Sequence, residues 1–191
     1  MGKTTIQVRV NSAAHYVLGA IFLIPLLIGV IIVGHNKDRT EQANQVSHDV
    51  ASMFAQGVDF SDSENQKIAA RLAFGLGVNI GEGGGVLILS KIRMVSGADC
   101  QSSGLEKCSN KGMAVVTQRF VIGGAKLRTS SFGNPENVDP KSGEVRNWAT
   151  DPSARAREFY ISLSPGESTY AAECYLPASD AHAGVYSRAM F

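Results

Sequence analysis

The chain has 191 residues, 44% hydrophobic and 18% charged, with a formal net charge of +1. That length allows one domain of ordinary size plus an anchor, and the composition excludes a wholly disordered chain. The 18 Lys and Arg are offset by 17 Asp and Glu without forming a basic stripe, so no nucleic acid is expected among the partners.

Residues 1–34 carry Lys3 and Arg9 and no acid. From Val10 to Gly34 no Asp, Glu, Lys or Arg occurs, and Tyr16 to Val33 is almost unbroken hydrocarbon. Eighteen helical residues span roughly 27 Å, close to the hydrocarbon thickness of a bilayer. The stretch therefore predicts a transmembrane anchor, with the span about 13–34 and the lipid bilayer as its first partner. A cleaved secretory signal is the rival reading. The apolar run is long for a signal, and the following His35-Asn36-Lys37-Asp38 lacks a small-residue cleavage site, which favours an uncleaved helix. Lys3 and Arg9 on one flank balance Lys37 and Arg39 on the other, so the positive-inside count is a tie. The short N-terminal tail and the use of cysteine place the following domain, 35–191, outside the cytoplasm. Pro25 removes the donor that the Ile21 carbonyl would otherwise receive, and with Gly19 and Gly29 it marks the helix face expected to pack against neighbours.

Residues 37–56 predict an amphipathic helix with Ala43, Val46, Val50, Met53 and Phe54 on its buried side. Whether it continues from the span is left open by Gly34 and Asn36. Ser61-Asp62-Ser63 offers an N-cap for a second helix over 63–76, carrying Ile68, Leu72 and Leu76, which Gly75 and Gly77 end. Two strands follow. In Val86–Val95, Ile88, Ser90, Ile92 and Met94 share one face, with Lys91 and Arg93 on the other. In Ala114–Ile122, Val116, Phe120 and Ile122 are set opposite Thr117 and Arg119. They are expected to pair antiparallel across the loop holding Cys100 and Cys108. Residues 123–149 are rich in Gly, Ser, Asn and Pro, with turn signals at Asn134-Pro135 and Asp139-Pro140, and read as either a binding element or a mobile excursion. A further helix is expected from Thr150-Asp151-Pro152, burying Ala156, Phe159, Tyr160 and Leu163. Strands over 168–176 and 184–191 complete the set. The fold class is α+β: an N-terminal transmembrane helix leading to an amphipathic helix, then a small antiparallel sheet with short helices.

Chemistry is sparse. Ser47-His48-Asp49 contains the residue types of a hydrolase triad, but neighbours on a helix point about 100° apart and cannot bond in series. Gly81–Gly85 precedes a strand and lacks the Lys-Ser/Thr ending of a phosphate loop, so it reads as a turn. Dispersed acids such as Asp151, Glu158 and Glu173 form no catalytic spacing, and no enzyme, cofactor or metal is expected. Cys100 and Cys108 enclose seven residues, a loop that closes easily. Their bond is favoured, leaving Cys174 free and buried beside Tyr170, Ala172 and Leu176; pairing of Cys174 with either is the alternative.

The order of these parts resembles the TadE-like family, pseudopilin-like proteins of the tight-adherence (Flp, type IVb) pilus machinery. The resemblance lies in the apolar core Ala20-Ile21-Phe22-Leu23-Ile24-Pro25-Leu26-Leu27-Ile28-Gly29 and in the helix from Ala43-Asn44-Gln45-Val46 to Ala51-Ser52-Met53. Thr169-Tyr170-Ala171-Ala172-Glu173-Cys174-Tyr175 and Tyr186-Ser187-Arg188-Ala189-Met190-Phe191 are similar to stretches in a subset of such proteins. The best match covers residues 13–56. The family's glutamate six residues before the proline is here Gly19, and no Gly-x-x-x-x-Glu processing signal precedes the span. The resemblance implies a single-pass protein of a bacterial inner membrane, working in pilus assembly or as a minor pseudopilin by packing against other pilin-like membrane proteins. A membrane-tethered envelope module that binds a ligand with its 123–149 loop is the other reading.

Overall fold

The computed structural model describes residues 4–81, 84–102, 108–159, 161–179 and 183–191, the side chains of 4–20, 28 and 30–36 excepted. Two compact units divide the chain, Met1–Asp38 and Arg39–Phe191.

One helix, α1 (Thr4–Ala55), runs from the first unit into the second, with Pro25 inside it. The expected helix over 37–56 is therefore the end of α1 and not a separate element. In the first unit, Ile21, Phe22, Leu23, Ile24, Leu26 and Leu27 are all exposed, by 51 to 73%. Most of Tyr16–Val33 lies outside the described side chains, and among the described residues no helix is long and apolar enough to cross a membrane.

The second unit is built in three layers around a four-stranded antiparallel sheet of order β2-β1-β3-β4. Its strands are β1 (Val86–Met94), β2 (Ala114–Gly123), β3 (Ser168–Leu176) and β4 (Val185–Met190). As expected, β1 pairs with β2; it also pairs with β3, so it is central. A strand in that position, covered on both faces, needs apolar residues at consecutive positions rather than alternate ones. Val86, Leu87, Ile88 and Leu89 supply them, each no more than 3% exposed.

One face of the sheet carries the helices. Ala43, Val46, Val50, Ala51 and Phe54 of α1 pack with Leu87, Leu89, Phe120, Ile122, Ala172, Cys174 and Leu176. Phe54 stands at the middle, its ring 5.0 Å from Tyr170, 5.7 Å from Phe60 and 5.9 Å from Phe120, each near edge-to-face. Helix α2 (Ser63–Gly75) is capped by Asp62, whose carboxylate accepts from Glu64 N at 2.9 Å. Its buried line is Ala69 and Ala73, while Leu72 and Leu76 are half-buried and Ile68 is exposed. The small residues let α2 approach closely, and this rotates the leucine stripe expected from spacing toward the rim.

The other face is covered by the segment between β2 and β3. Phe132, Val145 and Ala154 from that segment join Ile92, Val95, Val115, Val116 and Ala171 in a second core. Residues 123–149 are thus a packed layer and not a free excursion. The segment also closes the outer edge of β2: Arg119 N donates to Gly143 O at 2.7 Å, Val145 N to Thr117 O at 2.9 Å and Ala156 N to Ala114 O at 2.8 Å. Gly143 has φ +68°, and a Cβ there would lie 2.6 Å from the Phe120 ring and 2.7 Å from Arg119 O, so both the turn and the close approach require glycine.

Two local expectations are corrected. Only a single 3₁₀ turn, Pro152–Ala154 with Asp151 as its cap, forms where a helix was expected. Beyond it the backbone N–H groups of Ala156 and Arg157 go to Ala114 O and Phe132 O, and Glu158 adopts φ +48°; pairing to the sheet and loop outcompetes helical bonding. Ala156 and Phe159 are still partly buried there, and Tyr160 lies outside the described residues. In β2 the register slips between Lys91 and Ile92, whose partners are Gln118 and Val116. Thr117 is the extra residue of a bulge, and the slip moves Val116 to the second core, opposite Phe120 and Ile122.

The aromatic knot gives the first test. Phe54→Ala should lower the unfolding free energy of the second unit by about 3–5 kcal/mol, read as a shifted denaturant midpoint; a loss below about 1 kcal/mol would mean the knot does not hold α1 to the sheet.

Candidate functional site

The covering segment is fastened at both ends by buried polar groups. Near its C-terminal end the anchor is Asn110, which is fully buried. Its Nδ2 donates to Trp148 O and Asp151 O, both at 2.7 Å, and its Oδ1 accepts from Arg155 Nε at 2.8 Å. The Cys100–Cys108 disulfide, with Cα atoms 5.6 Å apart, sits immediately before it. It ties helix α3 (Gly97–Ser102), an element not expected from the sequence, to the turn before β2 that holds Asn110. Asp99 on α3 is opposed by burial but bonded by Arg93 and by Ser96, which together hold its carboxyl at about 2.

At the other end the anchor is Glu173 on β3, 2% exposed. It accepts from the Ser130 hydroxyl, from Ser131 N at 2.8 Å and from the Tyr186 hydroxyl at 2.6 Å. Burial, then the adjacent Glu173 carboxylate, push the Tyr186 phenol up to about 12, so it stays a donor throughout the neutral range. Arg128 stacks over the Tyr186 ring at 3.9 Å. Arg119, on the same sheet face, donates to Gly133 O at 3.1 Å. Burial pulls its guanidinium down to about 10, with Glu173 opposing, so it remains charged at neutral pH. The cluster's chemistry is that of a clasp: a buried carboxylate and a buried guanidinium divide the backbone and hydroxyl groups of residues 128–133 between them.

Between these fastenings, at the β2 bulge, a cleft of about 290 Å³ is lined by Lys91, Arg93, Thr117, Gln118, Glu144 and Trp148 among others. It combines residues from β1, β2 and the covering segment that no local spacing would associate.

Of the residues singled out in the sequence, Cys100 and Cys108 are bonded and Cys174 is free and buried. Burial pushes the Cys174 thiol up to about 12. Of the anchor-packing residues, Pro25 lies inside α1 and a Cβ on Gly29 would have nothing within 4 Å, while Gly19 lies among the side chains outside the description. Ser47-His48-Asp49 forms no triad: His48 Nδ1 lies 3.5 Å from Asp49 Oδ1, but Ser47 is buried and donates to Ala43 O at 2.9 Å, and the exposed His48 ring sits 4.8 Å from Phe191. The glycine run folds back through a Gly81–Gly85 bridge into β1. Asp151 and Glu173 serve the two separate fastenings, and Glu158 faces Arg188 at 3.8 Å. Among the described residues no group of three or more His, Cys, Asp or Glu is placed to hold a metal.

No protein-family model, no curated protein and no solved structure matches this chain. Function has to be read from the residues and their geometry.

Two outcomes check the fastenings. Glu173→Ala leaves Arg119 without its nearby negative charge and strands the Ser130 hydroxyl and Ser131 N, and should cost about 3–5 kcal/mol; a loss under about 1 kcal/mol in denaturant titration would contradict the clasp. Cys174 should resist alkylation at pH 8 in the folded, unreduced protein and react fully once unfolded, as mass spectrometry would show; rapid native labelling would contradict its burial.

Proposed function

We propose that the protein is a single-pass membrane protein of a bacterial inner membrane, a TadE-like pilus-assembly component or minor pseudopilin that acts by packing against other membrane proteins. The observation carrying this is the exposure of Ile21, Phe22, Leu23, Ile24, Leu26 and Leu27 on α1. At 3.6 residues per turn these six positions leave no gap wider than about 100° around the helix. Such a helix has no side fit for water and belongs in lipid or within a bundle of helices. Moving the six side chains out of water is worth roughly 10 kcal/mol. Lys37, Asp38, Arg39 and Glu41 end the apolar stretch and give α1 a polar exit from the bilayer. The basic tail, the central proline and the amphipathic continuation then agree with the TadE-like order of parts, and the disulfide suits a domain on the oxidising, extracytoplasmic side.

The second reading, a tethered envelope module that binds a ligand through 123–149, is favoured by one observation: the segment is fastened at both ends and walls a cleft.

In the bacterial membrane the full-length chain should resist alkaline carbonate extraction, and Ile24→Lys with Leu27→Lys should release it, since two central lysines cost roughly 5–7 kcal/mol of insertion. Mild detergent extraction should recover it together with pilin-like membrane proteins. Fractionation of the unaltered chain with the cytosol would refute the anchor; recovery only as a lone monomer would refute the assembly role.

A further inference from the structure

We infer that the cleft at the β2 bulge is a saccharide subsite that holds one ring of a neutral oligosaccharide; this rests on the binding-module reading and not on the anchor. At about 290 Å³ it lies near the lower end of ligand-pocket volumes and has room for a single sugar ring. Its wall includes Trp148, the only tryptophan of the chain and half-buried. An indole presents an apolar face to the C–H side of a pyranose and an N–H at its rim.

The polar groups around it are mixed in a way that selects against other ligands. Gln118 Nε2 is spent on Ser142 O at 2.9 Å, which leaves the amide oxygen as an acceptor. The Arg93 guanidinium is committed to Asp99 and Ser168. The exposed Glu144 carboxylate and the Trp148 indole N–H have no partner among the described residues. Lys91, 5.4 Å over the Tyr170 ring, adds a cation. Sugar hydroxyls both donate and accept, so they satisfy Lys91, Gln118, Glu144 and the indole N–H together. A plain anion meets Glu144, and a plain cation meets Lys91.

The walls are also set before any ligand arrives, which lowers the entropy cost of binding. Asn110 holds the Trp148 carbonyl at 2.7 Å. Val145 N on Thr117 O at 2.9 Å and the Gln118–Glu144 bridge fix the opposite side. The bulge at Thr117 re-aims the strand at this point, and its hydroxyl donates to Lys91 O at 3.2 Å.

Because Trp148 is the sole tryptophan, its emission reports on this cleft alone. The full-length protein, in a detergent without a sugar headgroup, would be titrated with cellotriose, maltotriose and triacetylchitotriose, and with trialanine as a zwitterionic peptide control. The expected result is a saturable shift with at least one trisaccharide and none with trialanine. Gln118→Ala combined with Glu144→Gln should weaken that binding about tenfold or more while leaving the far-ultraviolet circular dichroism unchanged. No saturable shift with any of the three sugars, or equal binding by the double variant, would overturn the subsite. A shift with trialanine alone would overturn the saccharide class while leaving a binding module. The membrane-extraction result stands apart from all of these outcomes.

Discussion

One helix has to satisfy two surroundings. From Ile21 to Leu27, α1 presents apolar side chains in every direction; from Ala43 to Phe54 it buries one side only, against the sheet, and leaves Asn44, Gln45 and His48 exposed. A helix with no polar side and a helix with one belong to different solvents. The change between them falls within a single element, α1 (Thr4–Ala55), and is the ground for proposing that the small domain is tethered. Everything in the second unit is then arranged around a sheet whose helix-bearing face is already taken.

The other sheet face needs cover too, because β1 is apolar at consecutive positions. Among the described residues no long helix supplies it; the short α3 and the 3₁₀ turn add only Cys100 and Ala154. An irregular segment does, and irregular backbone over a core carries polar groups that must be satisfied. Glu173, Arg119 and Asn110 meet that need: each is buried, and each bonds the segment, Glu173 also accepting from Tyr186 on β4. The disulfide reinforces the same end as Asn110. These three buried polar residues thereby act as fastenings, and the cleft at Thr117 is a place where exposed polar ends meet.

Elements whose signals are local were legible in the sequence. The apolar period of 43–54, the cap at Asp62, the four strands and the short Cys100–Cys108 loop each depend on neighbours along the chain. The inward face of Cys174 followed from strand alternation alone. What escaped depends on partners far away. The bulge at Thr117 exists because β2 must meet both β1 and the 143–145 edge, and it reversed the face of Val116. The helix after Pro152 failed because Ala114 O and Phe132 O claimed its amides. Glu173 stood out only as one acid among several; its role needs Ser130 and Tyr186, which lie 43 and 13 residues away. The cleft unites Lys91, Gln118, Glu144 and Trp148 from three elements, and no local spacing pointed to it.

The most direct measurement of the account is the polarity around α1. Nitroxide labels on Phe22→Cys and Leu27→Cys, placed singly, would be examined in proteoliposomes with oxygen and a charged nickel complex as relaxers, the buried Cys174 staying unlabelled. Both sites should relax strongly with oxygen and weakly with nickel, as hydrocarbon requires. Strong nickel relaxation at both would put that stretch of the helix in water and remove the basis for a membrane-tethered protein.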